Sequence, residues 1–298
     1  MGNTAEVTVV GGNSDFHDFA ERRLRTLEQQ WSRFIPTSDI SRLNMSRGKP
    51  IRVNRDTVTL VQYLVSAHQH TDGYFDPTLL PALVDLGYGT SMSDSSMSTM
   101  LPSNRPSLSE PLYLTQINHA SCFVQLPPGI TLDPGGLGKG LAADIVGAEL
   151  IEAGAHGACV NIGGDLRCVG CGPNDGVWNI DIESPFDDAT TIAKLVVHDG
   201  GVATSSTRAK RWHTRHGELH HVLSPKTRTP LPEDAAAPVQ VTVIAAETVW
   251  AEIFATAILV AGMAEGLALV RESRLAALVV LNSGDVVASA HWREFLRC

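Results

Sequence analysis

Between Thr131 and Val146 the chain reads TLDPGGLGKGLAADIV, and this stretch restricts the fold more than any other. A short β-type run ends at Leu132. Asp133 and Pro134 follow, with glycines at 135, 136 and 138 and Lys139 inside the turn. A helix-type run comes next, with Leu141, Ala142, Ile145 and Val146 at helical spacing. Glycine lets backbone N–H groups come close to a ligand. A helix N-terminus carries partial positive charge, and Lys139 adds a full one. The combination suits an anion. Its spacing is neither the P-loop G-x-x-x-x-G-K-[ST] nor the dinucleotide G-x-G-x-x-G. Chemistry alone therefore leaves two readings open: a phosphate cradle, or an ordinary strand–turn–helix junction.

The remaining chain sets bounds on what that stretch can belong to. Its 298 residues, 43% hydrophobic and 18% charged, are enough to bury a full core. A net charge of −9 argues against a nucleic-acid surface. No run approaches 18 consecutive apolar residues, so no membrane-spanning helix is expected. The opening MGNTAEVTVVGGN lacks the basic and apolar regions of a signal peptide. Five cysteines in so long a chain do not read as a disulfide framework. A cytoplasmic protein is the expectation.

Periodicity predicts strands at Glu6 to Val10 and Lys49 to Val53, and helices at Phe16 to Ile35 and Arg55 to Thr71. Ser38 or Asp39 is placed to cap a short helix through Leu43, and Asn54 to cap the helix after it. Thr78 to Asp85 reads as a short helix ending at Gly87-Tyr88-Gly89. Residues 90–111, rich in serine and proline, read as a mobile surface segment. Strands are expected near Ala158 to Ile162, Leu166 to Val169, Val177 to Ile182, Ala193 to Val197, Val202 to Ser206, Val239 to Ala245 and Leu275 to Asn282. Helices are expected at Glu247 to Ala261 and Ala264 to Arg271. The order is mixed, not a repeating β-α unit, and predicts an α+β fold with mixed sheets as a single domain over 1–298.

Three side-chain patterns invite chemistry. Cys168-Val169-Gly170-Cys171 is a CxxC, but no second pair supports zinc and its place at a strand end does not suit a thioredoxin-like site. His220 and His221 are adjacent in an extended run, so at most one faces a given site. Glu252 and Thr256 are four apart on one helix face, where carboxylate and hydroxyl can ligate a hard cation; a partly exposed helix face is the plainer alternative.

Several stretches together resemble the ApbE family of flavin transferases, the FAD:protein FMN transferases, over nearly the full length. They are Met1-Gly2-Asn3-Thr4, WSRFIPTSDISRLN from Trp31 to Asn44, TDGYFDPTLLPALVDLGYG, the glycine stretch, VNIGGDLRCVG, VATSS, HHVLSPKT and TVIAAETVWAEIFATA, in the family's order. The resemblance implies two intertwined lobes around a flavin cleft. It implies Mg²⁺-dependent transfer of FMN from FAD to a threonine hydroxyl of an acceptor flavoprotein, with release of AMP. It assigns flavin contacts to Met1, Phe34, Leu86, Gly87, Tyr88, Asp133, Lys139 and Leu223. It assigns the metal to Glu252, Thr256 and the Gly136 carbonyl, and catalysis to His221. Asp133 would lie near the adenine or ribose end, or orient the turn.

The sequence departs from the family pattern at defined places. Glu252 stands for the family's aspartate, and Val249 for an acidic residue three positions earlier. Ser224-Pro225-Lys226-Thr227-Arg228 stands for D-P-x-T-G. Leu86 replaces a tryptophan, and Ser206 a glycine. Two other activities fit the same pattern: an accessory flavin-binding protein without transfer, and an FAD pyrophosphatase yielding FMN and AMP.

Overall fold

The computed structural model describes residues 4–12, 15–91, 94–103, 111–173, 175–187, 189–214 and 217–297. Met1, one expected flavin contact, lies outside them. The chain divides into two compact units, one containing Arg25–Gly138 and Trp212–Pro230, the other Asn3–Leu24, Lys139–Arg211 and Leu231–Cys298.

The second unit is built on a sheet whose strands follow chain order: Ala5–Val10, Gly157–Ile162, Asp165–Gly170, Gly200–Ser206, Pro238–Ala245, Ala276–Leu281 and Val286–Ala288. Each neighbouring pair is antiparallel. Pro238–Ala245, rich in β-branched residues, is buried along almost its whole length, as a strand covered on both faces is. Trp178–Glu183 and Thr191–Val197 form a two-stranded ribbon whose first strand alternates buried and exposed residues. Its Trp178, Ile180 and Ile182 form a core with Leu195, Val202, Leu278 and Trp292.

Helix Thr248–Glu272 is long and apolar enough to cross a membrane by length and composition, although it holds no unbroken apolar run of that length. In the fold it is a core helix. Val249, Ala251, Ile253, Ala255, Ile258 and Leu259 are buried, and Gly262 breaks the helix at φ 79°, ψ −175°. Neither piece reaches the roughly 20 residues that a span needs. The break falls between the two helices expected from periodicity.

The first unit carries the shorter elements. Helix Asp39–Asn44 starts at Ser38, whose Oγ accepts from Ser41 N at 3.0 Å. Asn54 does not cap helix Arg55–His70 with its side chain. It donates through N and Nδ2 to Asp39 Oδ2 at 2.8 and 2.9 Å, and Thr57 Oγ1 donates to the same oxygen at 2.8 Å. One buried carboxylate thus ties two helix starts together. The first long helix, Asp15–Trp31, ends four residues before the expected Ile35, because Ser32 to Ser38 turns. Strands Ile51–Arg52, Phe123–Gln125 and Gln116–Asn118 form a small antiparallel sheet. Parts of 90–111 lie outside the described residues; within the described part, Thr90 bridges Ser98 and Asp94 accepts from Ser96.

Asn44, 2% exposed, fixes where the glycine turn begins. Its Nδ2 donates to Leu132 O at 2.9 Å and its Oδ1 accepts from Leu132 N at 2.7 Å. A side-chain amide here satisfies the backbone as a neighbouring strand would.

Candidate functional site

In the first unit an arginine and three aromatic rings are gathered from distant segments. Arg33 is 5% exposed. Its Nε lies 3.3 Å from Asp133 Oδ2, its Nη2 donates to Tyr88 O at 3.2 Å, and its Nη1 donates to Thr99 Oγ1. The guanidinium carbon sits 4.2 Å from the centroid of the Phe34 ring and 4.8 Å from that of Tyr88. Phe34 meets Tyr88 edge-on at 6.3 Å, and Trp212 stacks on Tyr88 at 5.3 Å. Trp212 Nε1 donates to Leu86 O at 2.9 Å, so an indole is held against the turn from another part of the chain. Gly87 takes φ 99° in this turn, which a side chain would strain. Burial raises the pKa of the Tyr88 phenol, the Arg33 charge lowers it and the Asp133 charge raises it. Asp133 Oδ1 accepts from Gly135 N at 2.9 Å, so this carboxylate orients the glycine turn as well as pairing with Arg33.

In the second unit Lys139 opens helix Gly138–Glu152 and lies between two carboxylates. It pairs with Asp165 Oδ2 and, at 2.9 Å, with Glu252 Oε1. Asp165 is fully buried and Glu252 is 3% exposed. Burial at this level rules out the partly exposed helix face as the setting of Glu252. Each acid has a backbone donor as well: Thr204 N to Asp165 Oδ1 at 3.2 Å, and Gly140 N to Glu252 Oε2 at 2.7 Å. Buried charges persist when paired and hydrogen-bonded in this way. One ammonium against two carboxylates leaves a net negative charge. Thr256 Oγ1 lies 2.8 Å from Ser205 Oγ, one turn along the helix from Glu252.

The start of helix Thr248–Glu272 is capped from far away in sequence. Asp144 accepts from Thr248 N at 2.9 Å and from Val249 N at 2.8 Å, while Glu247 at the N-cap position makes no side-chain cap. Burial raises the Asp144 carboxyl to about 6, against the lowering effect of these two hydrogen bonds and of Arg167. The two helices approach closely here. A Cβ on Gly140 would stand 2.7 Å from Thr248 O, which explains glycine at this position.

Of the expected flavin positions, Phe34, Leu86, Gly87, Tyr88 and Asp133 are connected through Arg33 and Trp212. Leu223 is buried and bridges Pro230, and His221 is half-buried directly after strand Gly217–His220. Gly136 lies in the turn closed by Gly138 N donating to Pro134 O at 2.8 Å. Lys139 joins the expected metal residue Glu252 through an ion pair. In the D-P-x-T-G variant, Ser224 Oγ accepts from Thr227 N at 3.4 Å, and Arg228 takes φ 57° where the family has glycine. Sequence reasoning missed Arg33, Trp212, Asp144 and Asp165 as site-building residues. Asp165 had a local signal, an acid directly after Gly163-Gly164 at a strand start. Arg33 had none, since an arginine inside a polar turn reads as exposed. A cavity of about 300 Å³ in the second unit, lined by Asp199, Arg274, His291 and Glu294 among others, includes none of these residues.

The sequence profile of the ApbE family matches residues 1–279. The FAD:protein FMN transferase of Vibrio cholerae serotype O1 is 25% identical over 285 residues, covering 93% of this chain and 83% of that protein. The FAD:protein FMN transferase of Klebsiella pneumoniae is 28% identical over 263 residues, covering 86% and 79%. Among solved structures, the ApbE protein of Thermotoga maritima superposes with a TM-score of 0.81 at 21% identity, over 99% of both chains. The flavin transferase ApbE of Vibrio cholerae gives 0.78 at 22% identity, over 99% of this chain and 96% of that one. The α+β fold is shared with both.

Proposed function

This chain belongs to the ApbE family, and on that premise we propose that it transfers FMN from FAD to a threonine hydroxyl of an acceptor protein, releasing AMP, with Mg²⁺ as the working cation. The observation that carries the reading is the Lys139–Asp165–Glu252 cluster, a buried oxygen set with net negative charge at the family's metal helix.

The residues suit a hard cation. Glu252 and Asp165 offer carboxylate oxygen and Thr256 a hydroxyl, the ligand types that Mg²⁺ accepts. Among the described residues no three of His, Cys, Asp and Glu gather as a metal site. Backbone carbonyl, substrate phosphate and water would complete the shell. The cation, when bound, would neutralise charge on the pyrophosphate. Asp133 holds the glycine turn in shape through Gly135 N, and Arg33 pairs with that same carboxylate. Phe34 and Tyr88, both lined by the Arg33 guanidinium, offer aromatic surface to the planar flavin. His221 is the candidate base. It would take the proton of the threonine hydroxyl as that oxygen attacks the FMN phosphorus and the bond to AMP breaks.

Incubation with FAD and Mg²⁺, with and without a threonine-bearing acceptor, separates the possibilities. AMP release with flavin bound to the acceptor is expected. AMP with free FMN and no labelled acceptor would assign a pyrophosphatase, and FAD binding without AMP an accessory flavin-binding protein. Glu252→Gln keeps the shape and removes a charge, so AMP release should lose its Mg²⁺ dependence; an unchanged Mg²⁺ titration would remove Glu252 from the ligand set.

A further inference from the structure

The CxxC pair is not the pair that the fold brings together. Strands Gly157–Ile162 and Asp165–Gly170 are antiparallel neighbours in which Cys159 stands directly opposite Cys168. Their sulfurs are 3.7 Å apart, with the Cys168 thiol donating to Cys159. Facing residues of an antiparallel pair have Cα atoms about 4.5–5.5 Å apart, inside the range of about 4.4–6.8 Å that a disulfide spans. Cys171 lies past the strand end and is exposed. Cys168 is wholly buried in the core beside Trp178, Val202 and Leu278, while Cys159 is half-buried at the edge of that cluster. The pair thus joins a part-exposed cysteine to one shielded behind it. None of the residues assigned to flavin, metal or catalysis touches either sulfur through a hydrogen bond or ion pair described above.

We propose that Cys159 and Cys168 form a vicinal dithiol, a modification site for small peroxides, which closes to a cross-strand disulfide. The Cys159 thiolate attacks one peroxide oxygen, the O–O bond breaks, and hydroxide leaves as Cys159 becomes the sulfenic acid. The Cys168 sulfur then attacks the Cys159 sulfur. The S–O bond breaks, the Cys168 proton leaves with that oxygen as water, and the S–S bond forms. Two thiols and one hydrogen peroxide give one disulfide and two waters, with the two electrons of the dithiol reducing the peroxide. The roles follow from exposure, and the local bonding agrees with them. Donation from the Cys168 thiol favours the Cys159 thiolate, lowering that pKa against burial and the nearby Glu6 charge, whereas the same bond and burial push Cys168 up.

Trypsin provides a clean readout because Arg167 separates the two cysteines. Cys159 falls on the peptide from Gly140 to Arg167, whereas Cys168 and Cys171 share the peptide from Cys168 to Lys194. The reduced full-length protein is treated with a small excess of hydrogen peroxide, blocked with N-ethylmaleimide and digested without reductant. The expected product joins the two peptides with loss of two hydrogens, reverts with dithiothreitol, and persists in Cys171→Ser. The link should vanish in Cys159→Ser, with that variant's folding checked by circular dichroism. A bridge inside the Cys168–Lys194 peptide, a link that disappears in Cys171→Ser, or oxidation that stops at sulfinic acid on Cys159 would each overturn the proposal. The wild-type and Cys171→Ser digests decide it even where Cys159→Ser fails to fold.

Discussion

Each unit gathers candidate residues around one cation, the buried Arg33 in the first and the part-buried Lys139 in the second, and the two are used differently. Arg33 is delocalised and planar. It pairs with one carboxylate, Asp133, whose side chain is 17% exposed, and spends its remaining surface on two aromatic rings and on Tyr88 O and Thr99. Lys139 is a compact charge between Asp165 and Glu252, which are 0% and 3% exposed. The first arrangement is neutral and leaves its anion partly in water. The second sets two carboxylates that are almost wholly buried against one ammonium. Guanidinium stacks and forks whereas ammonium is a point charge, so the first region is built to shape a surface and the second to hold positive charge. Coupling in the second region should be strong, because low local dielectric magnifies both pairing and its loss.

The largest expected effect probes that contrast directly. Lys139→Met strands two buried carboxylates and should cost ~3–5 kcal/mol in urea unfolding, the range for breaking a buried pair by removing one partner. Arg33→Met should cost about 1–3 kcal/mol, since Asp133 keeps its bond to Gly135 N and can hydrate. Equal losses in the two variants would mean that the regions do not differ as the burial indicates.

Next comes packing around the acids. Gly140→Ala sets a methyl against the Thr248 carbonyl, backbone against which little can yield. Overpacking of this kind costs ~1–3 kcal/mol, and the variant should also lengthen the Gly140 N to Glu252 bond. A crystal structure and unfolding curve at wild-type values would show that the two helices part freely.

Asp144 sharpens the comparison through pH. Its folded pKa of about 6 is raised above the ordinary carboxylate value. The native state therefore holds a proton that the unfolded chain has released. The resulting stabilisation is fully present in acid below the unfolded pKa, declines as pH rises, and is lost once pH passes about 6. Relative to Asp144→Asn, the wild type should be more stable at about pH 4 than at pH 7 by ~1–3 kcal/mol, from the energy of a one- to two-unit shift. A difference between the two proteins that is flat across this window would give Asp144 an ordinary ionisation.

The smallest effect belongs to the first unit. Arg228 is held at φ 57°, where glycine is at ease and a side chain is strained. Arg228→Gly should gain about 0.5–1 kcal/mol, net of the extra entropy that glycine has when unfolded. A lower melting temperature in that variant would show that the arginine side chain contributes more than its backbone loses.

The residues themselves determined a good deal. Periodicity located most strands and the helices to within a few residues, including the interruption at Gly262, because burial on one face repeats in the sequence. The motif blocks identified the family, since eight short patterns in order are unlikely to arise together by chance. Local chemistry narrowed the cap to Ser38 or Asp39, and Ser38 is the one used, with donor and acceptor three residues apart. Tertiary structure decided the rest. Asp144 caps a helix more than a hundred residues later, Asn44 stands in for a strand beside Leu132, and Lys139 meets Asp165 and Glu252 from three separate elements. Cys168 faces Cys159 and not its CxxC partner, because strand register outweighs sequence spacing. A charge or a thiol reads the same in sequence whether it is solvated or buried. Its partner, and hence its chemistry, is fixed only when distant backbone segments are packed so closely that one arrangement of side chains satisfies them.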